Sequence, residues 1–174
     1  MEQHHVINHL TGDEMPEKRN VLVESARIAR GRISPLAEFD PAEFDALLFP
    51  GGFGAAKNLS DFAFKGADSQ VNEQVANAIK GMHQAGKPIG ALCISPVLLA
   101  RVLDGVSLTI GQDKGTAEAV EKMGATHQNT SHGEVTVDEA NKLFTTPCYM
   151  LDANIVQIGE GAMNIVSRML AFMG

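Results

Sequence analysis

What the chain has little of narrows its class before any motif is read. It has no tryptophan, one tyrosine and two cysteines in 174 residues. Cys93 and Cys148 make no disulfide framework in a chain of this length. The simplest reading is therefore a reducing compartment, the cytosol. Basic residues are outnumbered, with 14 Lys and Arg against 21 Asp and Glu. The formal charge of −7 repels phosphates at long range, and no run of Lys and Arg builds a local basic patch. Nucleic acid and anionic membrane surfaces are poor partners for such a chain. No apolar stretch approaches the ~18 residues of a membrane span. The opening Met1-Glu2-Gln3-His4-His5 lacks the charged, apolar, small-residue order of a signal peptide. His4, His5 and His9 cluster near the start, but their spacing fits no zinc pattern and no cysteine accompanies them. No metal site is expected.

What is present reads as one domain with one core. A content of 44% hydrophobic and 20% charged residues is that of an ordinary globular chain. Short apolar runs alternate with helical patterns, which is how a parallel sheet covered by helices is written. His5 to Glu14 reads as a small hairpin, and Arg19 to Arg30 as a helix stopped by Gly31. Asp40-Pro41-Ala42-Glu43 is a helix-start signature. Ala46 to Phe49 is an apolar strand, Val71 to Ala85 a helix, Lys87 to Cys93 a second buried strand and Pro96 to Leu103 a helix. Val106 to Ile110 is a third strand, followed by a helix over 116–123. Glu134–Val137 and Lys142–Thr146 form an alternating hairpin. Asn154 to Phe172 is a closing helix with Ile155, Ile158, Ala162, Ile165, Val166, Met169 and Leu170 inward. The architecture is a flavodoxin-like, doubly wound, mostly parallel sheet with helices on both faces. Ligands of such sheets bind at the carboxyl ends of the strands.

Two motifs fall at those ends. In Ala91-Leu92-Cys93-Ile94-Ser95-Pro96, small residues stand two before and two after the cysteine, as at a nucleophile elbow. Pro96 suits the first turn of a helix and Ser95 its cap, so the helix amino terminus would lie near the sulfur and favour the thiolate. Without that setting, a cysteine in an apolar run is a buried, inert core residue. Cys148, inside Thr146-Pro147-Cys148-Tyr149, lacks the setting and reads as structural. The second motif is Pro50-Gly51-Gly52-Phe53-Gly54-Ala55-Ala56-Lys57-Asn58. Its third glycine is missing for a dinucleotide fingerprint, and no Gly-Lys-Ser/Thr makes it a P-loop. Its glycines can turn backbone N–H groups toward Cys93 and stabilise an oxyanion there. An ordinary tight turn is the plain alternative.

These two motifs, together with Thr145-Thr146-Pro147, resemble the enhancing-lycopene-biosynthesis (ElbB-type) proteins. That family belongs with the PfpI proteases and the parkinsonism-associated deglycase in the class I glutamine amidotransferase-like fold. Supporting stretches are Asn20 to Arg27, His83 to Pro88 and Gly115 to Glu118. The resemblance implies a link to isoprenoid biosynthesis and a cofactor-independent, lyase-type glyoxalase activity, turning glyoxal into glycolate without glutathione. Cys93 would be the nucleophile, with the Ile94 amide and the loop of Gly51, Gly52, Phe53 and Gly54 around the oxyanion. The substrate would be a small aldehyde and the assembly a homodimer. The family's members open with a further strand, helix and most of a second strand, and with a glutamate beside the cysteine. No residue here matches that glutamate, so the chain reads as an N-terminally incomplete domain. Several relatives also carry a histidine beyond the third strand, where this chain has Gly111-Gln112-Asp113. Asp113 could there orient water or substrate.

Two rival readings stand beside this one. A glutamine amidotransferase would pair Cys93 with His132 as base and Glu134 as its orienting partner. A non-enzymatic redox or stress regulator would instead oxidise Cys93.

Overall fold

Side-chain caps set the starts of most helices in the computed structural model, which describes residues 1–174. The chain forms two units, Met1–Phe39 and Asp40–Gly174. In the first, the expected hairpin is an antiparallel bridge between Ile7 and Glu14, closed by the Asn8 amide donating to Asp13 O at 2.8 Å. Helix α1 runs Val21–Ile28, where the Asn20 side chain accepts from the amides of Leu22 and Val23. It is shorter than its apolar pattern suggests. Arg30 takes a left-handed φ of 52°, and the chain leaves the helix there.

The second unit holds the sheet. Its elements in order are β1 (Leu47–Phe49), α2 (Phe53–Lys57), α3 (Phe62–Lys65), α4 (Glu73–Gln84) and β2 (Ile89–Leu92). They continue with α5 (Pro96–Val102), β3 (Ser107–Leu108), α6 (Lys114–Lys122) and β4 (Thr126–His127). The last are β5 (Thr136–Asp138), β6 (Leu143–Thr146) and α7 (Ile155–Met173). The Asp40-Pro41 signature starts only a 3-10 turn, Pro41–Glu43, capped by the Asp40 carboxylate on the Ala42 amide.

The main sheet has the order β1-β2-β6-β5, parallel from β1 to β6, with β5 antiparallel at the far edge. β2 and β6 are buried along their whole length, which is why they read as uninterrupted apolar or threonine runs. On one face Leu92 and Phe144 pack with Cys148 and with Ile165 and Met169 of α7. Gly90 lies on that face too, and a Cβ there would meet Leu48 Cδ1 at 2.4 Å and Met169 Sδ at 2.6 Å. Only glycine lets α7 approach this closely. The helices α4 and α5 pack against β2 as well, through stripes that bury Val75, Ile79 and Met82 of α4 and Val97 to Ala100 of α5. Each of these side chains other than Ala100 contributes roughly 1.5–3 kcal/mol.

Two expectations need correction. The third strand does not hydrogen-bond into the main sheet. β3 pairs in parallel with β4, a strand of two residues that no apolar run announces. Side chains tie β3 to its neighbours instead: Asp138 Oδ2 accepts from the Ser107 amide at 2.7 Å, and Thr145 Oγ1 from the Thr109 amide at 2.9 Å. The inner face of α7 is also narrower than expected. Ile158, Gly161, Ala162, Ile165 and Met169 cover the sheet, whereas Ile155 and Leu170 are 74% and 58% exposed and Val166 is partly so. The helix is apolar nearly all round, so its pattern does not single out one stripe.

Candidate functional site

Cys93 follows the last residue of β2 and takes a left-handed φ of 59°. Its amide donates to Thr146 O at 3.0 Å, which ends the β2–β6 ladder, and the Ser95 amide donates back to Leu92 O at 3.0 Å. The chain is thereby forced into a tight turn before Pro96 opens α5. Non-glycine residues pay about 1 kcal/mol or more for this backbone region, so the turn holds Cys93 in place rather than merely tolerating it. The cysteine is half-buried and its thiol is free.

The helix start differs from expectation. Ser95 occupies the cap position but makes no cap hydrogen bond, and its Oγ is buried with no partner. Pro96 has no N–H, while the amides of Val97 and Leu98 donate to Ile94 O and Ser95 O. The Ile94 amide donates to nothing within the protein. The electropositive group at the elbow is therefore this one N–H, not a fan of helix-terminal donors.

The glycine loop meets the elbow directly. Gly51 (φ 97°) lies so close that a Cβ on it would stand 2.8 Å from Cys93 Cβ and 2.9 Å from Leu92 O. Gly52 (φ 80°) carries the chain into α2, and its would-be Cβ meets nothing. Ser60 anchors the loop from below, its hydroxyl donating to Ala55 O at 2.8 Å. No acceptor within the protein takes the N–H groups of Gly52, Phe53 or Gly54.

A cavity of about 830 Å³ opens over this junction. Pro50 to Phe53, Leu92 to Ile94 and Cys148 to Met150 line it, with Phe62, Ile158 and Ala162 closing the sides. So the structure brings together Cys93, Ile94, Gly51, Gly52 and Phe53, all picked out in the sequence, with Gly54 in the first turn behind them. Cys148, read from sequence as structural, is buried in the core cluster and also lines this cavity. Burial, and secondarily the charge of Cys93, push its thiol pKa up to about 11. The signal in the sequence was its place just past Thr145-Thr146, on the strand that pairs with the elbow strand.

Three other candidates lie elsewhere. Asp113 is the N-cap of α6, its Oδ1 accepting from the Thr116 amide at 2.8 Å. Hydrogen bonding by Thr116, through its side chain first and its amide second, holds that carboxyl below the ordinary carboxylate range. His132 and Glu134 stand on a turn before β5 rather than in a strand, and Glu134 Oε2 accepts from the Ser131 amide at 2.6 Å. Glu134 lines a second, polar cavity of about 660 Å³, and neither it nor His132 lines the one at Cys93. The paired threonines of β6 are structural. Thr146 Oγ1 donates to Glu134 O, and Thr145 Oγ1 takes the Thr109 amide.

A doubly wound sheet with a left-handed cysteine between strand and helix, against a glycine loop, defines a class I glutamine amidotransferase-like domain. The DJ-1/PfpI family matches residues 31–147, and the chain belongs to that family. It is 48% identical over 182 residues to the Homo sapiens "Glutamine amidotransferase-like class 1 domain-containing protein 3, mitochondrial", covering 99% of this chain and 68% of that protein. It is 34% identical over 188 residues to the Danio rerio "ES1 protein, mitochondrial", covering 97% and 70%. Among solved structures it superposes with a TM-score of 0.92 on an isoprenoid biosynthesis protein with amidotransferase-like domain from Ehrlichia chaffeensis. There the identity is 33%, over 100% of this chain and 80% of that one. These relatives overturn the cytosolic expectation, since the curated ones are mitochondrial by name. Free thiols report a reducing environment, not which compartment supplies it.

Proposed function

We propose that the chain is a glyoxalase-type enzyme that converts glyoxal to glycolate without glutathione, with Cys93 as its nucleophile. The observation that carries this reading is the elbow: a half-buried thiol at φ 59°, facing an 830 Å³ cavity, with the unpaired Ile94 amide beside it and Gly51 against its Cβ. In the first step the Cys93 sulfur adds to one aldehyde carbon and gives a hemithioacetal. The oxygen that gains charge is met by the Ile94 N–H and the amides of the Gly52–Gly54 loop. A proton then moves from the carbon bearing sulfur to its neighbour, giving a thioester of glycolic acid, and water releases glycolate and the thiol. No carboxylate or imidazole lines the cavity, and Tyr149 is its one phenol. The cavity thus equips the addition step best and the proton transfer least.

The solved relative's name supports a place in isoprenoid metabolism, and the curated relatives' names support a mitochondrial one. A homodimer belongs to the same proposal, supported by the exposed Ile155, Met163 and Leu170 of α7. The test is glyoxal consumption with glycolate as the measured product. Wild type should turn over without added glutathione, and Cys93→Ser should fall by about a hundredfold or more, the scale of losing a nucleophile. Equal rates for the two proteins would discard the reading.

A further inference from the structure

Four non-glycine residues have left-handed backbone: Arg30, Lys142, Cys93 and Cys148. The two cysteines of the chain are therefore both held in a conformation that side chains avoid, and both line one cavity. Strained residues of this kind persist where the surroundings over-determine them. At Cys93 the elbow explains the strain. Nothing in the elbow explains it at Cys148.

Their placement in the sheet is close. β2 and β6 run parallel in register up to Leu92 beside Thr146, and the Cys93 amide donates to Thr146 O. One further step brings Cys93 level with Pro147, and Cys148 follows. A disulfide needs roughly 4.4–6.8 Å between Cα atoms; the parallel strands that lead into the two cysteines lie about 4.8 Å apart, and Cys148 stands one residue beyond the position level with Cys93. Cys93 packs against the buried cluster that contains Cys148. On its other side Cys148 Sγ faces Gly161 of α7, where an added Cβ would stand in ordinary contact at 3.6 Å.

We propose that Cys148 is the second reactive thiol of this site, closing a reversible intrachain disulfide with Cys93 once a peroxide has oxidised Cys93. The inference rests on the reading of Cys93 as a nucleophile. In the first step the Cys93 sulfur attacks one peroxide oxygen and gives up its proton; an S–O bond forms and the O–O bond breaks. Sulfur gives up two electrons, peroxide accepts them, and the departing hydroxide takes a proton to become water. In the second step the Cys148 sulfur attacks the Cys93 sulfenic acid. The S–S bond forms, the S–O bond breaks, and the Cys148 proton leaves with the hydroxide as a second water. An external dithiol reverses the bond by exchange. Cys148 is the more buried of the two thiols, and burial raises its pKa to about 11, whereas Cys93 is half-buried and open to peroxide from the cavity.

The experiment is intact and peptide mass spectrometry of the full chain after a molar excess of hydrogen peroxide, with parallel labelling by iodoacetamide. The expected wild-type product has lost two hydrogens, links the Cys93 and Cys148 peptides, and returns to the starting mass with dithiothreitol. Cys148→Ser should instead accumulate Cys93 sulfinic acid, a gain of two oxygens that dithiothreitol does not reverse. Wild-type chain that ends as Cys93 sulfinic acid with Cys148 still alkylatable would overturn the disulfide while leaving the nucleophile intact. Disulfides only between chains would overturn it too. A Cys93 inert to both peroxide and iodoacetamide would remove the disulfide and the glyoxalase reading together.

Discussion

Helix α7 helps line three cavities of the second unit, and two of them divide the chemistry between them. The cavity at Cys93 holds two thiols, a phenol and otherwise apolar or glycine surface. The other holds Gln128, Thr130, Glu134, Asn164, Ser167 and Arg168, and no thiol. Ile158 and Ala162 face the first, Asn164, Ser167 and Arg168 the second, as successive residues of one helix turn away from each other. A nucleophile and a His-x-Glu pair in one chain suggest a triad. The fold keeps them apart: Glu134 lines the polar cavity, His132 lines neither, and the thiol lies in the other.

The sharpest way to test what the Cys93 cavity depends on is to fill the space between loop and elbow. Gly51→Ala places a methyl group 2.8 Å from Cys93 Cβ in a backbone region already unfavourable to alanine. Overpacking and backbone strain together should cost about 3 kcal/mol. Alkylation of Cys93 by iodoacetamide should change with it. Gly52→Ala shares the strain but meets no neighbour, and should cost about 1 kcal/mol. Urea unfolding of both variants decides the matter. Equal losses would mean that the loop does not brace the cysteine.

The same contrast shows what the amino-acid pattern could and could not convey. β1, β2 and α4 were legible because each is apolar in an unbroken run or on one helical stripe, and glycines mark their ends. The elbow was legible because small residues flank Cys93 at fixed spacing. β4 was not, because Thr126 and His127 owe their strand conformation to pairing with β3 across a helix. The face of α7 was not, because Ile155 and Leu170 are as apolar as Ile165 yet point outward. The place of Cys148 on the cavity was not legible for a related reason: it depends on the strand across the sheet, which ends in the elbow, and only the run Thr145-Thr146 before it hints at that pairing.

A substitution behind the polar cavity should disturb stability but leave the thiol alone. Asp138 joins β5 to β3, accepting from the Ser107 amide at 2.7 Å and from Asn141 Nδ2 at 2.9 Å. Burial alone would push its carboxyl pKa up, but these bonds outweigh it and hold the pKa below 3.8. Asp138→Ala should cost about 2 kcal/mol through the orphaned donors, with the Cys93 alkylation rate within about twofold of wild type. A large change in that rate would show that the two cavities are coupled.

Acid should weaken the same wall more gently. Burial lowers the His127 pKa below 6.5, with Glu121 opposing weakly, and its Nε2 accepts from the Ile110 amide at 3.3 Å, which requires a neutral ring. The unfolded imidazole therefore binds a proton more readily than the folded one. Its contribution is present above about pH 6.5 and is lost as pH falls through that value toward the folded pKa. Asp138, its folded pKa also depressed, adds a second loss below about pH 4. Urea midpoints measured from pH 8 to pH 4 should fall in that sequence, and His127→Gln should flatten the first part. A midpoint that rises between pH 7 and pH 5.5 would contradict the sign.

The smallest effect is expected where the rival reading demands the largest. If Cys93, His132 and Glu134 formed a triad, His132→Ala and Glu134→Gln would each abolish activity, and the wild type would release ammonia from glutamine. The exposed turn that carries His132, and the Ser131 amide that occupies Glu134, place neither group on the thiol's cavity. Glyoxal turnover in both variants should stay within about twofold of wild type, because neither residue can reach the reacting atoms. No ammonia should appear at high glutamine. Ammonia release that vanished in Cys93→Ser and in His132→Ala alike would mean that the turn before β5 swings onto the elbow, and the separation of the two cavities would no longer describe how the protein works.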